Sequence, residues 1–72
     1  MPWYDNHKVT MERNRAGLRQ GKVAQLIGLR QPQLSLKETG KGPFTTQELN
    51  ALATLYGVAL DAFKRDDPTN YR

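Results

Sequence analysis

The residues of this sequence whose types could do chemistry are few: one histidine, His7; a Gly40-Lys41-Gly42 run; and a polar stretch, Arg30-Gln31-Pro32-Gln33, with Lys37 after it. Catalysis draws little from them. The 72-residue chain has no cysteine, and His7 has no evident carboxylate partner, so it reads as a surface residue of a first helical turn. Lack of cysteine also excludes disulfides, thiolate nucleophiles and cysteine-bearing zinc sites, and no other cluster of metal ligands replaces them. Gly40-Lys41-Gly42 is superficially like a phosphate-binding loop, but the upstream glycine and the following Ser or Thr of that motif are missing. Neither an enzyme nor a bound cofactor or metal is therefore expected. Gln31 and Gln33, taken alone, are ordinary solvated glutamines.

Charge is more telling. The net charge is +4, yet residues 1–42 carry eight basic and three acidic side chains, for +5, whereas residues 43–72 carry three basic and four acidic, for −1. An excess confined to one part of the chain is the pattern of a surface that meets a polyanion, although a merely solubilising surface would carry charge too. With 38% of 72 residues apolar, one core can form but not a generous one, so a marginal monomer or a dimer is expected. No stretch nears the roughly 18 consecutive apolar residues of a membrane span. The opening Met1-Pro2-Trp3-Tyr4-Asp5-Asn6 lacks the basic-then-apolar pattern of a signal peptide, and a soluble cytoplasmic protein is the expectation.

Short helices joined by tight turns must position these groups. Gly17, Gly28, Gly40 and Gly57 each end a segment with helical character and suit the left-handed position that closes a helix, while no clean period-2 run suggests a strand. A first helix is expected from 6 or 7 to 16, capped by Asp5 or Asn6, with a thin apolar face of Val9 and Ala16. A second, from about 19 to 27, turns Val23, Ala24 and Ile27 inward and contains Gly21, which costs about 1 kcal/mol relative to Ala. The third runs from about 31 to 39 with Pro32 in its first turn, Leu34 inward, and Gln33, Leu36 and Lys37 outward. Thr45 and Glu48 form a capping box for the fourth helix, whose Leu49, Leu52, Ala53 and Tyr56 make the best amphipathic stripe in the chain. A fifth is expected from 60 to about 65, with Leu60 and Phe63 inward, before a tail that Pro68 keeps from continuing the helix. Trp3 and Tyr4 could either cover the core or seal a contact between subunits.

Many spaced positions then agree at once: Gly17-Leu18, Gln20, Val23-Ala24, Ile27-Gly28-Leu29, Leu34 and Glu38-Thr39-Gly40-Lys41, followed by Leu49-x-x-Leu52-Ala53-x-x-Tyr56-Gly57-Val58-x-Leu60-Asp61. In this pattern the sequence resembles the lambda-repressor-like helix-turn-helix proteins, which include phage Cro proteins, phage repressors and XRE-type regulators, over about residues 9–63. The pattern also has a physical rationale of its own. Ala24 is small where two helices cross, Gly28 permits the left-handed turn between them, and Leu29 and Leu34 bury the joint. The resulting rigid corner presents a cylinder about 10–12 Å across, suited to a major groove about 12 Å wide.

The resemblance implies an all-α, compact five-helix domain occupying residues 1–72, with 1–5 as an N-terminal extension and 66–72 as a C-terminal tail. It implies a transcriptional regulator that binds double-stranded DNA, a small repressor acting as a homodimer through the fifth helix on a palindromic operator. Base-reading positions would be Arg30, Gln31, Pro32, Gln33 and Leu36; a Gln amide can pair twice with adenine, and Leu can touch a thymine methyl. Phosphate contacts would fall to Arg19, Gln20, Lys37, Thr39 and Lys41, with Gln20 also bracing the first recognition residue. Arg13 and Glu38 match a structural ion pair between the first and third helices. The sequence departs from the family pattern at Glu12, Pro32 and Lys37; Pro32 disfavours helical angles at Gln31, which makes Gln31 a candidate N-cap. A protein-interaction module, such as an antitoxin that uses its DNA binding for autoregulation, is the alternative function.

Overall fold

The computed structural model describes residues 2–66. Among them are four α-helices, α1 (Asn6–Arg15), α2 (Gln20–Leu26), α3 (Gln31–Glu38) and α4 (Thr46–Tyr56), followed by a 3₁₀ helix, Leu60–Phe63. No strand occurs among the described residues, only an isolated antiparallel bridge between Tyr4 and Lys64.

Local chemistry sets most helix ends. Asp5 caps α1, its Oδ1 accepting from the His7 N–H at 2.9 Å. At α4 the capping box closes in both directions: Glu48 N–H donates to Thr45 Oγ1 at 3.0 Å, and Thr45 N–H to Glu48 Oε1 at 2.9 Å. All four expected closing glycines have positive φ. At Gly28 (φ +79°) this conformation lets Leu29 N–H donate to Ala24 O at 2.8 Å, which turns the chain from α2 into α3 within four residues.

The core gathers Val9 of α1, Val23 and Ala24 of α2, Leu34 of α3, the α4 stripe Leu49, Leu52, Ala53 and Tyr56, and Tyr4, Phe44 and Phe63 from the connecting segments. Val9 is the only buried side chain α1 contributes to it, and Ala16 is exposed beyond the helix end. Such a thin apolar face leaves α1 dependent on polar anchors.

One expectation is corrected after α4. The fifth helix does not reach 65: it is a four-residue 3₁₀ turn, after which Lys64 is extended (φ −66°, ψ 132°). The reason is long-range pairing. Lys64 N–H closes the turn on Asp61 O at 3.0 Å, but the Phe63 carbonyl accepts from Asp5 N–H at 2.7 Å and Arg65 N–H donates to Trp3 O at 2.9 Å, so the helix is not carried further. The same pairing ties residues 3–5 to the helical body. Tyr4 is buried within it, stacked edge-on against Phe44 at 5.8 Å, and accepts the Phe44 N–H on its hydroxyl at 2.8 Å. Trp3 stays exposed, edge-on to Tyr4 at 5.6 Å. Phe63 is wholly buried and Leu60 packs on the core, so the 3₁₀ helix has spent its larger apolar side chains within the chain. The tail beyond Asp66 lies outside the described residues.

Candidate nucleic-acid interface

The surface in question is the outer side of α3 with the segments at its two ends. Leu34 is fully buried, and the side chains around it on the helix, Gln31, Pro32, Gln33 and Leu36, are exposed together with Arg30 just before the first turn. Arg30, not Gln31, is the N-cap: it is extended (φ −92°, ψ 151°) and Gln31 already begins the helix, with Pro32 within the first turn as expected. A guanidinium has no acceptor with which to cap. Gln33 supplies the one available half of a capping box, its Oε1 accepting the Arg30 N–H at 2.9 Å. The cap bond restrains the Gln33 side chain at the exposed start of α3.

Behind this surface lies a polar network. Glu38, at the last turn of α3, is 7% exposed and takes a forked bond from Arg13: Nε to Oε2 at 2.8 Å and Nη2 to Oε1 at 3.2 Å. Arg13 also donates from Nη1 to Leu18 O at 2.9 Å, and Gln20 Nε2 donates to Glu38 Oε1 at 2.8 Å. One carboxylate thus ties α1, the α1–α2 turn and α2 to α3. The chain of bonds runs on to the surface, where Gln31 Nε2 approaches Gln20 Oε1 at 3.5 Å. Charge-assisted forked pairs of this kind hold geometry well. The Tyr56 hydroxyl is buried without a hydrogen-bond partner among the described residues. Burial, with the Glu38 charge adding to it and Arg13 opposing, holds its pKa far above the ordinary tyrosine value.

The basic residues separate into two kinds. Arg19 before α2 and Lys41 after α3 are exposed, and neither side chain is bonded among the described residues. Lys37 differs: it is half-buried, and its ammonium donates to both Glu48 oxygens at 2.8 and 3.0 Å, so it joins α3 to the start of α4. Thr39 is exposed, with its hydroxyl turned back onto Ser35 O and Leu36 O at 3.0 and 3.1 Å. Asn6, which the sequence marked only as a possible cap, donates from Nδ2 to Lys37 O at 2.7 Å and fastens the start of α1 to the end of α3. Neither that bond nor the Lys37–Glu48 pair obeys a local spacing rule. Only the opposite charges on either side of the 40–44 loop hinted at the second.

Glu48 carries a pH consequence. Burial acts to raise its pKa, but the Lys37 hydrogen bond and charge, with the Thr45 N–H and hydroxyl, together hold the carboxyl below its ordinary value. A depressed folded-state pKa contributes stability that is complete above the unfolded-state value, near 4.3–4.5, and is lost as pH falls through the lower folded value. Acid unfolding of Glu48→Gln should accordingly lose part of its pH dependence below about pH 4.5, and circular dichroism melts across that range will show it. A dependence identical to that of the parent protein would contradict the assignment.

A family model described as "Helix-turn-helix domain" matches residues 8–65. The chain belongs to the helix-turn-helix family. The match spans α1 through the 3₁₀ helix and agrees with the Cro and XRE kind of DNA-binding protein that the sequence resembles. No curated protein and no solved structure matches the chain. In this helix-turn-helix domain α2 and α3 form a two-helix corner joined by the turn at Gly28. Among the described residues, no helix is long and apolar enough to cross a membrane, and no three His, Cys, Asp or Glu side chains gather as metal ligands.

Proposed function

We propose that this protein is a sequence-specific regulator of transcription that reads the major groove with α3, a small repressor of the Cro or XRE kind. One observation carries the reading: Arg30, Gln31, Pro32, Gln33 and Leu36 lie exposed on a helix whose opposite side is fixed by Leu34 and by the Arg13–Glu38–Gln20 network. A base-reading side chain discriminates only if its backbone is held still. Arg19 before α2 and Lys41 after α3 are exposed and make no ion pair among the described residues, which leaves both charges available to phosphates. Gln20, Thr39 and Lys37 are the further phosphate candidates, Lys37 by exchanging its Glu48 partner. Two copies would occupy half-sites about 34–36 Å apart on a palindromic operator. Cytoplasmic residence follows from the reading, because the DNA of a bacterial cell or phage-infected host lies there.

The test separates base reading from backbone binding. Gln33→Ala and Leu36→Ala should change which bases are preferred, by about 1–3 kcal/mol at the affected position. Arg19→Ala and Lys41→Ala should weaken binding to all sequences alike and shorten the salt slope by about one ion each. Equal losses on every sequence from all four variants, in binding titrations at several salt concentrations, would argue against α3 as the reading helix.

A further inference from the structure

Gly21 is an anomaly at the second position of α2. Its backbone is ordinary helix, with no positive φ to demand glycine, and in a helix glycine is the poorest choice after proline. Space supplies the reason. A Cβ built there would come within 3.1 Å of Gln31 Oε1, closer than such atoms ordinarily approach, and would touch Gln31 Cδ at an ordinary 3.6 Å. The carboxamide of Gln31, the first residue of α3, lies down on the bare backbone of α2, with its Nε2 toward Gln20 Oε1 at 3.5 Å.

We infer that Gly21 is a positioning residue for base recognition: the missing side chain is a seat that selects one arrangement of the Gln31 carboxamide. This rests on the DNA-reading function proposed above. With Oε1 against Gly21 and Nε2 against Gln20, both ends of the amide are oriented before DNA arrives. That lowers the ordering cost of a two-bond contact to one base and penalises arrangements that would suit another. Filling the seat displaces a flexible, exposed side-chain end while leaving the core intact, so the change is felt in specificity and not in folding.

Gly21→Ala should be as stable as the parent or more so, since alanine is the better helix former. Gly21→Leu should evict the carboxamide altogether. In selection from random duplex DNA, Gly21→Leu should lower discrimination at one base pair of each half-site by about fivefold or more. Gly21→Ala should lower it less, and preferences owed to Gln33 and Leu36 should persist. In a Gln31→Ala background, neither substitution should alter the preferences further. Free-protein NMR gives a readout that needs no DNA: nuclear Overhauser contacts from the Gln31 side-chain amide to the Gly21 α-protons, lost in Gly21→Leu. A folded Gly21→Leu with unchanged preference at every base pair would overturn the inference while leaving DNA reading intact. A parent protein that selects no sequence would overturn both.

Discussion

Replacing Arg13 with methionine is expected to cost about 3–5 kcal/mol of stability, the range for removing one partner of a buried ion pair. Glu38 is almost fully buried, and without Arg13 its charge would retain only the Gln20 amide as a partner, too little to replace its lost hydration. For a domain of this size each kcal/mol moves the melting midpoint by about 4–8 °C, so the variant should melt at least 12 °C or so below the parent. The companion Arg13→Met/Glu38→Leu should regain most of that loss, because the penalty lies in the orphaned charge more than in the pair's own attraction. The pair would then serve chiefly to fix α3 against α1 and α2, and the rescued double variant should bind DNA less selectively than its stability suggests. Urea unfolding of the three proteins measures the effect. A loss below about 1 kcal/mol in Arg13→Met would mean that the pair behaves as a surface pair.

The two buried tyrosines should respond to the same substitution with opposite signs. Tyr4→Phe strips the acceptor from the Phe44 N–H, which donates to the Tyr4 hydroxyl at 2.8 Å in a buried site. An orphaned buried donor costs about 1–3 kcal/mol. Tyr4 also lies where residues 3–5 pair with 63–65, so the loss should be accompanied by faster amide exchange at Asp5 and Arg65, whose N–H groups hold that pairing. Tyr56→Phe removes a hydroxyl that is buried and unpartnered among the described residues, and should leave stability unchanged or raise it. Its ring packs edge-on to Phe63 at 6.3 Å, a contact phenylalanine keeps. Thermal melts of the two variants side by side decide the matter, and the same sign for both would contradict it.

What was legible in the sequence was what local chemistry determines. Thr45 and Glu48 announced the start of α4 because both halves of a capping box lie within three residues, and the closing glycines needed only their own backbone freedom. The exposed set on α3 could be read because Leu34 alone among its neighbours had to turn inward. The Arg13–Glu38 pair came from family resemblance; nothing local links residues 25 apart. What could not be read was long-range. The 3₁₀ turn ends early because residues 3–5 compete for its backbone. Tyr4 enters the core on account of a partner 40 residues away. Lys37 reads as an outward cation until Glu48 is placed beside it. Gly21 shows the reverse case, in which local propensity alone marks the residue as a fault and only the neighbouring Gln31 gives it a purpose.

The central claim, that α3 reads a base sequence, is tested most directly by selecting bound duplexes from a random DNA pool with the unaltered protein at a stated salt concentration. The account predicts enrichment of one short motif in two inverted copies whose centres lie about one helical turn apart, about 34–36 Å. Specific sites should be bound about a thousandfold or more tighter than the unselected pool. A pool that stays random while binding collapses with added salt would contradict it, because the protein would then hold DNA by its phosphates alone.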